Sequence, residues 1–134
     1  MGGMCGATKF MIEEIKITIP ELPPTDNHLY FLRALQGQKQ VIKFMSAEGK
    51  EWKELASYCG RQGYRGEILT CPLKVKIWFY LKRERDIQGS LKVLFDSFEG
   101  IIYKDDKQVI HFEVDKILNA ESKINPRVEI IIYE

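Results

Sequence analysis

Between Leu73 and Leu81 every second residue is apolar. Leu73, Val75, Ile77, Phe79 and Leu81 alternate with Lys74, Lys76, Trp78, Tyr80 and Lys82, the clearest strand period in the chain. Ile15, Ile17 and Ile19 show the same period around Lys16 and Thr18, and Pro20 closes that strand. Gln40 to Phe44, Val109 to Leu118 and Val128 to Tyr133 predict three more strands, the last two separated by the turn-forming Asn119 to Pro126 segment. Two stretches carry helical spacing instead. Ser46 offers an N-cap to a helix running to about Gly60, with Trp52, Leu55, Ala56 and Cys59 on its buried stripe. A second helix runs from about Ile87 to Glu99 on Leu91, Leu94, Phe95 and Phe98, with Gly100 as its stop. Residues 22 to 27, Leu-Pro-Pro-Thr-Asp-Asn, continue neither kind of structure and predict a loop, followed by a short apolar segment from Leu29 to Leu35. The order β, loop, β, α, β, α, β, β predicts an α+β fold: a single domain over residues 11–134, with a mixed or largely antiparallel sheet and two helices packed on it.

Length agrees, since 134 residues bury one core well and two poorly. Residues 1–10, small and glycine-rich, are expected to form a flexible tail. Twenty Lys and Arg against nineteen Asp and Glu give a formal charge of +1, so attraction to nucleic acid has to come from local clusters. Cys5, Cys59 and Cys71 are odd in number and lack a Cys-x-x-Cys spacing, which argues against a disulfide framework or zinc site and for a reducing cytoplasm. No apolar stretch approaches the ~18 residues of a membrane helix, so no membrane partner is expected.

The candidate chemistry lies between Lys82 and Lys107. Asp86 stands at a strand-to-helix junction and Asp105-Asp106 in a turn, and carboxylates converging at one sheet end suit Mg²⁺, a hard ion that takes oxygen ligands. The plain account of the same residues is an N-cap and turn acids, with Lys82, Arg83 and Arg85 a solvated loop. Gln88, Lys92 and Asp96 share a helix stripe that solvation alone explains. His28 and His111 have no nucleophile or metal partner nearby in sequence and read as surface or strand residues.

This block resembles the signature of the RusA family of Holliday junction resolvases. There a basic run precedes Asp-x-Asp-Asn, a Lys follows one helical turn later, a further Asp lies on the same helix, and an Asp-Asp-x-Gln turn closes the site. Asp86 matches the first acid, Lys92 the lysine, Asp96 the helix acid, and Asp105 and Asp106 the pair before Gln108. The Leu-Pro-Pro-Thr-Asp-Asn loop is similar to the family's Pro-Pro-Ser-Asn-Asn, and Ser46-Ala47-Glu48-Gly49 to its Ser-Ala-Glu-Gly helix start.

The resemblance implies a Mg²⁺-dependent endonuclease, with Mn²⁺ a possible substitute, acting as a homodimer on four-way DNA junctions in recombination and repair. It implies that Asp86 and Asp106 hold the metal, assisted by Asp105 and Gln88, while Lys92 offsets charge on the scissile phosphate. Lys74, Lys76, Lys82, Arg83 and Arg85 are then expected to grip phosphates without reading bases. The departure is at Gln88 and Gly89, where the family has its second acid and an Asn. An amide there weakens metal binding unless a neighbour such as Glu84 or Asp96 replaces the charge. The alternatives are a branched-DNA-binding protein of the same fold that cuts poorly, and an unrelated α+β domain whose acids are caps and turns.

Overall fold

The computed structural model describes residues 14–34 and 41–134; the expected tail over residues 1–10, and the ends of two predicted segments at Leu35 and Gln40, lie outside them. A four-stranded mixed sheet runs in the order β1 (Ile15–Ile19), β6 (Arg127–Tyr133), β4 (Leu73–Tyr80), β5 (Val109–Ile117). β6 is antiparallel to both of its neighbours, whereas β4 and β5 are parallel from Leu73↔Val109 to Tyr80↔Ile117, with a bulge after Leu73. The apolar residues of β1, β4 and β6 fill one face of the sheet. Ile17, Ile77, Phe79, Val128 and Ile130 are buried there with Trp52 and Ala56 of α2 (Ala47–Gly63) and Val93, Leu94 and Phe98 of α3 (Gln88–Ser97) or its cap.

The α+β class and the two long helices are as expected. Two one-turn helices accompany them, α1 (Asp26–Leu29) in the proline loop and α4 (Ala120–Ile124) in the segment expected to be a turn. The apolar segment after Leu29 is a strand, β2 (Tyr30–Ala34), but it pairs only with β3 (Val41–Met45) in a hairpin separate from the main sheet. Ser46 caps α2 as predicted, its hydroxyl accepting from the Gly49 N–H at 3.0 Å. Cys59 is a half-buried free thiol, while Cys71 is disulfide-bonded, which departs from the sequence expectation of no disulfide framework, since neither an odd cysteine count nor the spacing of three cysteines forbids one bond. Among the described residues no helix is long and apolar enough to cross a membrane.

What positions the site is the unit β4, α3, β5. Because β4 and β5 are parallel, α3 must carry the chain from the C-terminal end of β4 back to the N-terminal end of β5. Every acid in this stretch therefore belongs to one end of the sheet or the other.

Candidate metal centre

α3 ends at Ser97, and Gly100 makes the turn away from it at φ 78°, a backbone conformation that L side chains resist. The returning chain is pinned to the helix it has left, for buried Tyr103 donates its hydroxyl to the Phe95 carbonyl at 2.6 Å. Burial pushes the Tyr103 phenol well above its ordinary range, so it remains a donor. The Asp-Asp-x-Gln segment then forms a 3₁₀ turn at Asp106–Gln108 closed by a capping box. The Asp105 carboxylate accepts from the Lys107 N–H, and the Gln108 side-chain oxygen accepts from the Lys104 and Asp105 N–H groups, all at 2.9 Å. The other end of the Gln108 amide donates to the carbonyls of Leu69 and Cys71, just ahead of β4. One glutamine thus clamps the acidic turn to the sheet.

This clamp aims Asp106 at the end of α3. Its N–H donates to Glu99 Oε2 at 2.9 Å, and carboxylate oxygens of Asp96, Glu99 and Asp106 all lie within 4.8 Å of one another. Among the described residues none of the three has a salt-bridge partner. They gather where the α3 backbone exposes its carbonyls, the end of a helix that favours cations, and its last turn holds no basic side chain. Burial, the hydrogen bond with Asp105 and the charges of Glu99 and Asp105 raise the Asp106 pKa, while Lys92 pulls it back. Asp105 moves the other way, held below the usual range first by the hydrogen bond from the Lys107 backbone. Three convergent carboxylates with no salt bridge among the described residues offer the oxygen donors that a hard divalent cation takes, so the residues fit one.

Glu99 was not among the residues singled out from sequence. A signal for it existed in the i, i+3 spacing of Asp96 and Glu99 at a helix end whose dipole opposes them. Asp105 is placed as the turn's cap, which is the plain account of that residue.

Asp86 lies at the opposite end. It follows the C-terminal end of β4, whereas Asp106 precedes the N-terminal end of β5, and the ten residues of α3 between them span about 15 Å. Within one chain the two do not meet at one ion, because the parallel pairing of β4 with β5 separates them. Gln88 is exposed in the first turn of α3, beside Gly89. There Asp26 of the proline loop accepts from the Gly89 N–H through its Oδ2 at 3.3 Å, and its Oδ1 is buried without a hydrogen-bond partner. A Cβ on Gly89 would stand 3.1 Å from that Oδ1, so the glycine and the aspartate fit as a pair.

The proposed replacements for the missing acid are placed elsewhere. Glu84 is bound to Lys116, and Asp96 is at the far end of the helix. The basic residues divide as well. Arg85 is half-buried, donating to the Pro23 carbonyl at 2.7 Å with Asp26 close enough to raise its pKa, while burial lowers it more. Lys82 and Arg83 are exposed on the loop before it. Lys74 and Lys76 point from β4 to the sheet face opposite the core, where Lys76 also approaches Glu113 at 4.0 Å.

A carboxylate cluster near a lysine, on an α+β frame with basic residues exposed elsewhere, suits metal-assisted phosphodiester chemistry. The chain matches the model of the family described as Endodeoxyribonuclease RusA over residues 23–133, and it belongs to that family. No curated protein matches the chain.

Proposed function

We propose that this protein is a divalent-metal-dependent endonuclease that resolves four-way DNA junctions by paired cuts, working as a homodimer in recombination and repair in the cytoplasm. The observation that carries the reading is the group Asp96, Glu99 and Asp106, three acids without a salt bridge among the described residues, at a helix C-terminus, with Lys92 near enough to act on Asp106. Family membership supplies the substrate class. Asp96, Glu99 and Asp106 are the residues that hold the ion, Mg²⁺ or in its place Mn²⁺. When bound, such an ion polarises the scissile phosphate and lowers the pKa of the attacking water.

The chain's own residues do the rest. Gln108 and Asp105 fix the turn so that Asp106 holds its position before the ion arrives, which spares reorganisation during the reaction. Lys92, close enough to Asp106 to stabilise its charge, faces the phosphate and offsets the negative charge that grows on it. Lys82 and Arg83 at one end, and Lys74 and Lys76 on the open sheet face, contact phosphates and make binding depend on DNA shape and salt.

The test is cleavage of a synthetic four-way junction against a linear duplex of the same sequence, with Mg²⁺, with Mn²⁺ and with chelator. Junction-selective cutting that needs the ion and is lost in Asp106→Asn supports the reading. Tight junction binding with no cutting in either ion supports the impaired binding protein that Gln88 suggests.

A further inference from the structure

We propose that the groove along α2 lined by Lys50, Lys53 and Arg61 is a track for the phosphate backbone of one DNA arm, which it leads to the Asp96, Glu99 and Asp106 centre. That the polyanion is DNA rests on the endonuclease reading; the charge of the track does not.

α2 keeps its charges apart. Lys50, Lys53, Ser57 and Arg61 stand three, four and four residues from one another and share one flank of the helix, whereas Glu48 and Glu51 fall on another. The surface follows this division. Lys50, Lys53, Ser57 and Arg61 line one groove of about 630 Å³ with Met45 and Glu54. Glu48 and Glu51 line a different groove with Glu21. A helix laced by its own ion pairs alternates charge along each face. Here, among the described residues, Lys50, Lys53 and Arg61 form no salt bridge, although Glu54 stands four residues after Lys50. Like charges left unpaired on one flank repel each other, and a bound polyanion removes that repulsion.

The groove runs toward the metal centre. Ser57 donates its hydroxyl to the Ser97 carbonyl at 2.8 Å, and Gly60 lies so close to Phe98 that a Cβ there would stand 2.9 Å from the ring. The second half of α2 is therefore seated against the C-terminal end of α3. Arg61 also lines a second groove of about 480 Å³ with Arg65, Gly100 and Ile101, one residue past Glu99. The Arg65 guanidinium donates to Gln62 Oε1 at 2.8 Å, which holds it beside Arg61. The cations thus follow α2 to the turn that leaves the acids.

Shape and length choose the ligand. No side chain lining either groove is fully buried, so neither encloses a small molecule. From Lys50 to Arg61 the helix rises about 16 Å, the axial length of about five phosphates on one strand of a duplex. Contacts of this kind fix position and register without reading bases. The phosphate-gripping cations named above lie on the open sheet face or at the other end of α3, so the α2 track is a separate grip.

Salt titration of junction binding, in chelator to prevent cutting, tests the track. Lys50→Ala/Arg61→Ala should bind a synthetic four-way junction about tenfold more weakly and lower the slope of log K against log salt by about 2, roughly 0.9 for each lost contact. Lys50→Arg/Arg61→Lys keeps the charge, and Lys16→Ala/Lys123→Ala removes the same charge from exposed positions elsewhere; both should keep the wild-type slope. An unchanged slope in Lys50→Ala/Arg61→Ala, or an equal loss in Lys16→Ala/Lys123→Ala, overturns the track. Direction is read with a photocrosslinker attached at Lys50→Cys or Arg61→Cys in a Cys59→Ser background. Arg61→Cys should mark the strand about five nucleotides nearer the cut than Lys50→Cys. Marks at one shared position, or in the reverse order, overturn the proposal. A wild type that shows the α2-dependent slope yet cuts no junction supports the track and removes the endonuclease reading. One that cuts junctions while Lys50→Ala/Arg61→Ala keeps its slope leaves that reading standing and removes the track.

Discussion

The two ends of the β4, α3, β5 unit are both rich in charge, and they use it differently. At the N-terminal end of α3 three of the charged groups are matched to partners. Arg85 lies by Asp26, Glu84 holds Lys116, and Asp26 accepts from the helix N-terminus at Gly89. At the C-terminal end Asp96, Glu99 and Asp106 crowd together without a salt bridge, against the helix dipole. Matched charge holds the fold in place, whereas unmatched charge of one sign costs stability and persists where a ligand of opposite sign offsets it. In the endonuclease reading proposed above, the second end serves chemistry and most of the first serves architecture.

The largest expected effect separates these roles directly. Asp106→Asn should lower Mg²⁺-dependent junction cleavage by about 10²-fold or more, as loss of one preorganised charge-stabilising group commonly does, with junction binding preserved by gel shift. Arg85→Ala should do the reverse. Leaving the Pro23 carbonyl and Asp26 without their partner should cost on the order of 1–3 kcal/mol in urea unfolding while the residual folded protein still cuts. Full stability with lost cutting in Arg85→Ala would place Arg85 in the DNA contact instead and erase the contrast.

A smaller effect follows from the raised Asp106 pKa. The fold favours its neutral form, so this contribution to the stability of the metal-free protein is present at low pH and is lost as pH rises through the raised range. The group is only partly buried and solvent screens much of its charge, so the change should stay below about 1 kcal/mol. Asp106→Asn should flatten that part of the pH profile, and added Mg²⁺ should stabilise the wild type most above it, both read as Tm by calorimetry. An identical profile in the variant would show that the crowding is fully screened.

These ends also mark where the sequence was legible. The alternation from Leu73 to Leu81 and the stripe Leu91, Leu94, Phe95, Phe98 are local patterns, and both became elements; the strand has the expected face, while in α3 Leu94 and Phe98 are buried, Leu91 and Phe95 only partly, and the helix also buries Ser90, Val93 and Ser97. Ser46 as a cap is equally local. Strand order is not, because an apolar face reports burial and says nothing of which neighbour lies alongside. The parallel pairing of β4 with β5 therefore went unseen, and with it the separation of Asp86 from Asp106. Asp105 and Gln108 carried a motif legible in sequence, but only the backbone shows that they form a cap that holds Asp106.

The smallest expected effects lie at Gln88 and probe whether the matched end retains any capacity for metal. Gln88→Asp adds a carboxylate to the first turn of α3, where the helix dipole favours it by roughly 0.3–1 kcal/mol. Asp26, already accepting from Gly89 one residue on, opposes it. If this end takes part in holding the ion, the added acid should tighten Mg²⁺ binding by up to about tenfold, the scale of supporting ligands, and raise cleavage only at limiting Mg²⁺. Asp26→Asn should remove the opposition, so the double variant should bind Mg²⁺ more tightly than Gln88→Asp alone. Glu84→Gln should leave the metal titration unchanged, since its carboxylate is committed to Lys116. A Glu84→Gln protein that loses metal binding would mean that the Lys116 pair opens in the working enzyme. A Gln88→Asp titration that matches wild type would mean that this end is structural, leaving Asp96, Glu99 and Asp106 to hold the ion without it.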